Sequence, residues 1–152
     1  MESDTFTTET KIVNAHEGKK LNVLGDNITI KLTGADTNGA FVMVEQNNPP
    51  GTGIPMHMHE NEDELFKILE GEMEFTVNGK TSLLKAGDLI FLPRKVPHTF
   101  TVMGSQNAKA IVCAYPAGLE FMFYQLSELP AGPPDIEKVM KICGDFGIKF
   151  IH

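Results

Sequence analysis

The sequence predicts an all-β barrel followed by a short C-terminal helical segment. Short apolar segments recur through the middle of the chain at close spacing, and glycine, proline and asparagine residues separate them. In a flat open sheet, so many short strands would leave long unpaired edges, so we expect them to close on themselves or to stack as two sheets. The pattern changes after residue 116, where a long apolar stretch and a helix-like stretch follow.

The clearest single element is a β-hairpin. Met73, Phe75 and Val77 alternate with polar residues, and residues 80–84 form the returning strand. Between them stands Asn78-Gly79, a pair that tolerates positive φ at both positions. This arrangement is the strongest short-range hairpin signal in the chain.

The other strands are predicted from short apolar runs of the same kind. They are residues 21–24, 28–32, 40–45, 56–59, 64–69, 89–92, 98–102 and 108–114. Turn residues separate the runs, and Asp26-Asn27 and Glu70-Gly71 are two of the predicted turns.

The C-terminal part differs from the rest of the chain. Residues 119–126 are almost continuously apolar, so we expect them to cover the barrel, to close its mouth or to pack on a second subunit. Residues 135–143 have a helical pattern, with Asp135 placed to cap the start and Gly144 placed to end the helix. We predict one domain with three parts: an N-terminal arm or edge strand at 1–20, a barrel at 21–116 and a helical extension packed on the barrel at 117–152.

Composition limits the class of partner. The 152 residues are 41% hydrophobic and 22% charged, which fits one globular domain. A net charge of −7, from 20 acidic against 13 basic residues, argues against a nucleic-acid or anionic-membrane partner. We therefore expect a small molecule or another protein as the partner, with a small-molecule substrate as the main prediction.

The chain carries no predicted export or membrane signal. Residues 1–10 are polar, without the basic start and apolar run of a secretion signal, and no later stretch is long enough to span a bilayer. Cys113 and Cys143 lie in apolar surroundings without CxxC spacing, which is typical of reduced core residues. These features predict a cytoplasmic protein.

Three of the five histidines fall in two short motifs that predict a metal site. His57 and His59 are separated by one residue, so on a strand both point to the same face. Glu64 opens a buried strand, where a carboxylate is unfavourable unless it is paired or bound to a cation. His98 follows Pro97 at the start of another strand. Three imidazoles and one carboxylate suit Fe, Ni, Co, Cu, Zn or Mn, so we predict one divalent metal ion at His57, His59, Glu64 and His98.

Simpler explanations exist for some of these residues. Histidines that only make hydrogen bonds are the alternative to a metal site, but the joint spacing of the four residues favours the metal. Glu60, Glu62 and Asp63 lie between the second histidine and Glu64. We interpret these three as a solvated turn rather than as ligands.

The first motif resembles that of the cupin superfamily, G-x5-H-x-H-x4-E-x6-G. Every specified position is matched, by Gly51, His57, His59, Glu64 and Gly71. The resemblance implies a double-stranded β-helix, or jelly-roll barrel, with the same metal ligands and a pocket in the barrel interior. It also implies a homodimer built on edge strands.

The second motif of that superfamily, G-x5-P-x-G-x2-H-x3-N, is matched less completely. Gly87, Pro93 and His98 agree with it, whereas Lys95 replaces the usual glycine and Val102 the usual asparagine. Neither difference affects a metal ligand. At Lys95 the difference concerns the turn, where the lysine is expected to accept a positive φ at modest cost.

Residues 22–126 further resemble single-domain bacterial cupins of the quercetin-dioxygenase-like kind. This resemblance implies a dioxygenase-type oxidoreductase acting on a small, flat enol- or catechol-like molecule, with Glu64 serving both as ligand and as base. Phe66, Ile68 and Phe100 follow the parity of Glu64 and His98 along their strands and are predicted to line the substrate pocket. Packing of the barrel core is the other explanation for these three residues.

One fold hosts many activities, so two other functions stay open. The first is a Zn or Mn isomerase acting on a sugar or a small acid, which needs charged groups to hold its substrate. Arg94 and Lys95 are the obvious candidates, unless they are simply solvated turn residues. The second is a cupin that binds a metal or a ligand without turnover.

Overall fold

Two antiparallel sheets face each other across an apolar interior. The structure is a computed structural model that describes residues 6–152. Its strands are β1 (Lys19–Val23), β2 (Asp26–Leu32), β3 (Val42–Asn48), β4 (Gly53–His59), β5 (Asp63–Glu70), β6 (Glu72–Val77), β7 (Lys80–Lys85), β8 (Leu89–Leu92), β9 (His98–Met103), β10 (Ala108–Tyr115) and β11 (Ile148–Phe150). The helices are α1 (Gly34–Thr37), α2 (Leu119–Ser127) and α3 (Ile136–Asp145).

The strand order is that of a double-stranded β-helix. One sheet has six strands in the order β1-β2-β3-β10-β5-β8, and the other has five in the order β11-β4-β9-β6-β7. Strands that follow one another in sequence often lie in different sheets, so the chain winds between the two layers. The all-β prediction with a short helical C-terminal segment is confirmed.

The predicted alternation of side chains builds the core. Along β9, His98, Phe100 and Val102 are buried, and the residues between them are less so. Phe100 packs against Phe66 and Phe75, with ring centroids 5.1 to 5.8 Å apart within the group of three. Aromatic residues from both sheets therefore meet in the core.

Two turns show how local sequence sets the register. Asn78 and Gly79 have φ values of 53° and 75°, as the predicted hairpin requires, and Val77 pairs with Lys80. Gly71 has a φ of +78°, and a Cβ there would lie 2.5 Å from the carbonyl oxygen of Asn107. The second turn therefore requires glycine for both conformation and space.

Several predicted boundaries are wrong, and three of them have a clear cause. Asp26 lies at the start of β2 rather than in a turn, because the turn falls at Leu24-Gly25, where both residues have positive φ. Strand β3 continues to Asn48 rather than ending at residue 45, since its later polar residues bond inside the protein. Gly144 does not end α3, which runs to Asp145.

The start of α3 agrees with the sequence, whereas β1 begins at Lys19 and β4 at Gly53, earlier than predicted. The side chain of Asp135 caps α3 by accepting a hydrogen bond from the Lys138 N–H at 3.3 Å, as predicted. Strand β11 was not predicted from the sequence. Of the predicted N-terminal arm, residues 1–5 lie outside the described part of the chain, and the division into three parts stays a prediction.

The C-terminal segment connects the two sheets along one side. Helix α2 packs on β1, at the edge of the six-stranded sheet, while α3 packs on β11, at the edge of the other. The two helices also contact each other, so they bridge the gap between these edges. Across residues 6–152, no helix reaches the length and apolar character needed to cross a membrane.

Helix α2 is fixed to the barrel by a buried carboxylate. Glu120 is 2% exposed, and its oxygens accept hydrogen bonds from the Gly34 N–H at 2.7 Å and the Gly118 N–H at 2.6 Å. The side chain therefore satisfies the start of its own helix and the start of α1 together.

Replacing this carboxylate should destabilise the fold. Glu120→Leu leaves two buried N–H groups without an acceptor, so we expect the free energy of unfolding to fall by about 2 kcal/mol in urea titrations. Glu128→Leu, at an exposed position next to the same helix, is the control and should change it little. Equal unfolding midpoints for both variants would show that the two hydrogen bonds do not stabilise the protein.

Candidate metal centre

The four predicted metal-site residues converge inside the barrel. His57 and His59 come from β4, Glu64 from β5 and His98 from β9. One donor atom from each residue lies within 4.8 Å of the donor atoms of the other three. All four side chains are between 2% and 8% exposed, so the group is enclosed by protein.

Strand geometry explains this convergence. His57 and His59 project from the same face of β4 because one residue separates them, and β4 pairs with β9 so that His57 is directly opposite His98. Glu64 projects from β5 in the opposite sheet. Three imidazoles from one layer thus face one carboxylate from the other.

Backbone carbonyl groups orient two of the imidazoles. His57 Nδ1 lies 2.9 Å from the oxygen of Pro55, and His98 Nδ1 lies 3.2 Å from that of Val96. When Nδ1–H donates to a carbonyl, the lone pair of Nε2 is free to bind a metal. The two rings are therefore held in the tautomer that a metal site needs.

The contacts of Glu64 fit a cation between the donors. Its Oε1 atom lies 2.7 Å from His59 Nε2 and 3.3 Å from His98 Nε2. Despite these short distances, this oxygen has no hydrogen bond of acceptable geometry to any residue in the range 6–152. A buried carboxylate oxygen with close donors but no hydrogen bond is what the ligand set of a metal ion looks like without the ion.

Electrostatics keeps the carboxylate ionised. Burial alone raises the pKa of Glu64, but the nearby His59 and His98 outweigh burial and hold the pKa well below its usual range. Burial, reinforced by His98, lowers the pKa of His57 to about 4. Burial also acts to lower the pKa of His59, but Glu64 and Glu62 outweigh it and raise the pKa to about 9. At neutral pH, Glu64 and His57 are already in the protonation states that bind metals.

The cluster opens onto a cavity of about 430 Å³. Apolar side chains from the barrel, both C-terminal helices and β11 form most of its wall: Val23, Ile28, Val44, Ile54, Val112, Met122, Phe123, Leu126, Val139, Met140, Ile148 and Phe150. Asp26, Gln46 and the terminal His152 are its other polar residues. Neither Lys nor Arg lines the cavity within the described part of the chain.

The predicted pocket residues have different positions relative to this cavity. Phe66 and Phe100 line it, whereas Ile68 is fully buried and lies outside its lining. Asp26 and Gln46 line it too, although the sequence placed Asp26 in a turn and Gln46 beyond the end of a strand.

Comparison with known proteins supports the fold and the site together. Residues 44–115 match the cupin domain family. The quercetin 2,3-dioxygenase of Bacillus subtilis is 29% identical over 118 residues, which cover 77% of this chain and 34% of that protein. The oxalate-binding protein of Thermotoga maritima is 37% identical over 70 residues, covering 46% of this chain and 58% of that one. The chain belongs to the cupin superfamily.

The fold of this chain is also similar to that of a solved structure. A predicted oxalate decarboxylase from Thermotoga maritima superposes with a TM-score of 0.62 at 27% identity, covering 70% of this chain and 99% of that one. The matched region makes up about a third of the Bacillus subtilis quercetin 2,3-dioxygenase and less than three fifths of the Thermotoga maritima oxalate-binding protein. The relatives therefore identify the superfamily and its barrel, and their activities are not carried over by the match alone.

Glu62 was missed by the sequence analysis. Interpreted as part of a solvated turn, it is in fact 7% exposed, and its Oε1 lies 3.7 Å from Nδ1 of His59. This distance is too long for a hydrogen bond, and neither atom has another hydrogen-bond partner in residues 6–152. The prediction of a solvated turn is wrong for Glu62 because that side chain folds inward beside His59. Glu60 and Asp63, in contrast, pair with surface cations.

The turn before His98 supports the cupin site through its backbone. Lys95 has a φ of 68°, as expected for a residue that stands in place of glycine, and its N–H donates to the carbonyl of His59 at 2.7 Å. Arg94 donates to both carboxylate oxygens of Asp63, at 3.2 and 3.3 Å, and does not line the cavity. The turn therefore fixes a ligand strand and offers no arginine to a bound molecule.

The positive φ at Lys95 can be tested by substitution. Lys95→Val places a β-branched residue in the left-handed region and should lower the free energy of unfolding by about 1–2 kcal/mol. Lys95→Gly relieves the conformational constraint and should leave this free energy unchanged or higher. Chemical unfolding of the two variants measures the difference. A valine variant as stable as the glycine variant would contradict the left-handed conformation.

Proposed function

We propose that this cupin is a metal-dependent dioxygenase acting on a small, flat molecule that bears an enol or catechol hydroxyl group. One observation carries the proposal: the four-residue cluster lies in the wall of a partly enclosed and mostly apolar cavity. Such a cavity favours a flat apolar skeleton with a few oxygens, because only a few polar groups are available to orient it.

His57, His59, Glu64 and His98 are the proposed ligands of one divalent ion, with Fe, Ni, Mn, Zn, Co and Cu as the candidates. Three borderline nitrogen donors and one carboxylate suit these metals better than Mg or Ca. When bound, such an ion supplies Lewis acidity and, for a redox-active metal, electron transfer to and from oxygen.

The protein itself would orient the substrate and accept its proton. Glu64 is the carboxylate of the cluster and lines the cavity, so it is the proposed base for a substrate hydroxyl. Phe66 and Phe100 offer ring faces beside it for a flat substrate. Met122 and the other helical residues of the wall limit the access of water to the reacting group.

The comparisons support this choice over an isomerase. A relative that matches most of this chain is named as a quercetin 2,3-dioxygenase, and quercetin is a flat polyhydroxylated molecule. A Zn or Mn isomerase acting on a sugar phosphate or a small acid needs cationic side chains for its anionic group. Arg94 is engaged by Asp63, and the lining of the cavity contains no Lys or Arg from residues 6–152.

Ligand binding without turnover is the second candidate. It is favoured by the oxalate-binding protein, which is 37% identical over part of the chain. Oxalate is a small dianion that the proposed metal ion could bind. However, a mostly apolar cavity of about 430 Å³ is large for it, and no Lys or Arg among the described residues lines the cavity. We therefore regard a binding cupin as less well supported than the oxygenase.

Two further predictions, one from the resemblance and one from the sequence, belong to this proposal. The first is the homodimer, which light scattering of the purified chain would measure. The second is the cytoplasmic location, which fractionation of the source cells would measure. The chemistry proposed for the cavity depends on neither.

Metal content and oxygen uptake test the proposed function. Protein purified without chelator should contain about one metal ion per chain by elemental analysis, and it should consume oxygen when quercetin is added. His57→Ala removes one proposed ligand and should lose both the metal and the uptake. His16→Ala, at an exposed histidine outside the cavity, should retain both.

The outcomes separate the candidate functions. The protein is reconstituted with each of Fe, Ni, Co, Cu and Mn and is then given quercetin or a simple enediol as substrate. If it binds metal but takes up no oxygen under any of these conditions, the oxygenase is ruled out. Binding of quercetin without its consumption would favour the binding cupin. A protein that takes up no metal at all would reject the ligand assignment.

Glu62 is expected to support the metal from outside the ligand set. A carboxylate beside the second nitrogen of a ligating histidine orients the ring and raises its basicity. Glu62→Gln should therefore weaken metal binding by about 10- to 100-fold in a competition titration with a chelator. Glu60→Gln, in the same turn but paired with Lys149 at the surface, is the matched control and should bind the metal like the unmodified chain. Equal metal affinities for the two variants would exclude this role.

A further inference from the structure

A second polar group faces the cavity at a distance from the metal centre. The carboxylate of Asp26 accepts hydrogen bonds from Gln46 Nε2 at 3.0 Å and from Asn48 Nδ2 at 2.7 Å. The Asn27 N–H in turn donates to the side-chain oxygen of Asn48 at 2.7 Å. These bonds form a continuous chain, so the amide groups cannot rotate independently.

One atom of this group lacks a partner. Gln46 is 6% exposed, and its Oε1 has no hydrogen bond to any residue from 6 to 152. The orientation of the amide is set because Nε2 donates to Asp26, so the oxygen must point away from that carboxylate. A buried carbonyl oxygen without a donor is unfavourable, and in native proteins such an atom calls for an explanation.

The position of Gln46 relative to the metal centre follows from the strand register. Ala110 of β10 pairs with Gln46 on one side, and Ala114 of the same strand pairs with Glu64 on the other. Four residues along a strand correspond to roughly 13 Å at about 3.4 Å per residue. Gln46 and the metal centre therefore lie well apart in the lining of one cavity.

We propose that Gln46 Oε1 accepts a hydrogen bond from a hydroxyl group at the end of the ligand remote from Glu64. This makes Gln46 a specificity-determining residue that selects elongated, flat ligands with hydroxyl groups at both ends. The inference rests on the proposed function only in placing the other end of the ligand at the metal centre. Asp26 and Asn48 act as positioning residues that hold the amide in place.

Simple apolar packing does not explain the arrangement. The neighbours of Gln46 on the flanking strands are Ile28 and Ala110, which are apolar and buried. An apolar residue at position 46 would remove the unpaired amide oxygen but would leave Asp26 Oδ2 without the donor that Gln46 supplies. Gln46 Nε2 therefore serves Asp26, and Gln46 Oε1 is left for a polar group that the chain itself does not supply.

Binding of two flavonols tests the proposal without requiring turnover. Quercetin and 3-hydroxyflavone share the flat skeleton and the 3-hydroxyl group next to a carbonyl, but only quercetin carries hydroxyl groups on both outer rings. The full chain, with the metal it holds after purification, is titrated anaerobically with each compound, and the ratio of the two dissociation constants is measured. We expect quercetin to bind about tenfold more tightly, the gain from one hydrogen bond to a buried acceptor.

The variant Gln46→Met keeps the length of the side chain and removes the whole amide, so Asp26 keeps only Asn48 as a side-chain donor. It should bring the ratio of dissociation constants close to one by weakening quercetin binding while leaving 3-hydroxyflavone binding nearly unchanged. The matched control is Ile28→Met, which alters the adjacent wall of the cavity and leaves the amide intact. This control should affect both compounds alike and preserve the ratio.

The outcomes are distinct from those that test the oxygenase. A preserved preference for quercetin without oxygen uptake would support the Gln46 anchor while rejecting the dioxygenase. Equal affinities of the unmodified chain for the two compounds, or no binding of either, would overturn the anchor, and this comparison needs no variant to fold. A Gln46→Met variant that weakens both compounds equally would show a structural role only and would also overturn it.

Discussion

The buried carboxylate of Glu64 determines how the two sheets of the barrel must face each other. An isolated carboxylate in an apolar interior costs several kcal/mol, so a stable barrel must bring positive or donating groups to it. His59 and His98 approach one of its oxygens at 2.7 and 3.3 Å, and both belong to the opposite sheet. The cluster therefore links the two layers and fixes how β4 and β9 face β5. A divalent ion shared by the same donors would satisfy the same electrostatic requirement more completely.

The C-terminal segment makes this electrostatic arrangement effective. Without α2, α3 and β11, the edges β1 and β4 would leave the interior open along one side. With these elements in place, apolar side chains line the cavity beside the cluster, and its four side chains are at most 8% exposed. Electrostatic interactions are stronger in such surroundings than in water. Closure of the barrel and the chemistry of its site therefore depend on the same helices.

The sequence predicted the features that follow from local spacing. Parity along a strand was enough to place His57 beside His59, and a motif of two residues was enough for the hairpin at Asn78-Gly79. It did not predict burial that depends on partners distant in sequence. Glu62 looks like any acidic turn residue until the fold brings it beside His59. Similarly, β11 is too short to be recognised as a strand, and it exists because β4 has an unpaired edge that it can join.

The charges in the cavity also determine which way round a ligand can bind. Glu64 and Asp26 carry carboxylates, and the lining within residues 6–152 contains no Lys or Arg to oppose them. Burial raises the pKa of Asp26, and the charge of Glu64 raises it further, although hydrogen bonds from Asn48 and Gln46 act to lower it. Additional negative charge near Asp26 is therefore unfavourable. An ionised oxygen of a ligand would therefore be repelled from the Asp26 end and would belong at the metal centre. Neutral hydroxyl groups suit the amide of Gln46. This difference between the two ends of the cavity is enough to orient a ligand that carries both an ionised oxygen and a neutral hydroxyl group.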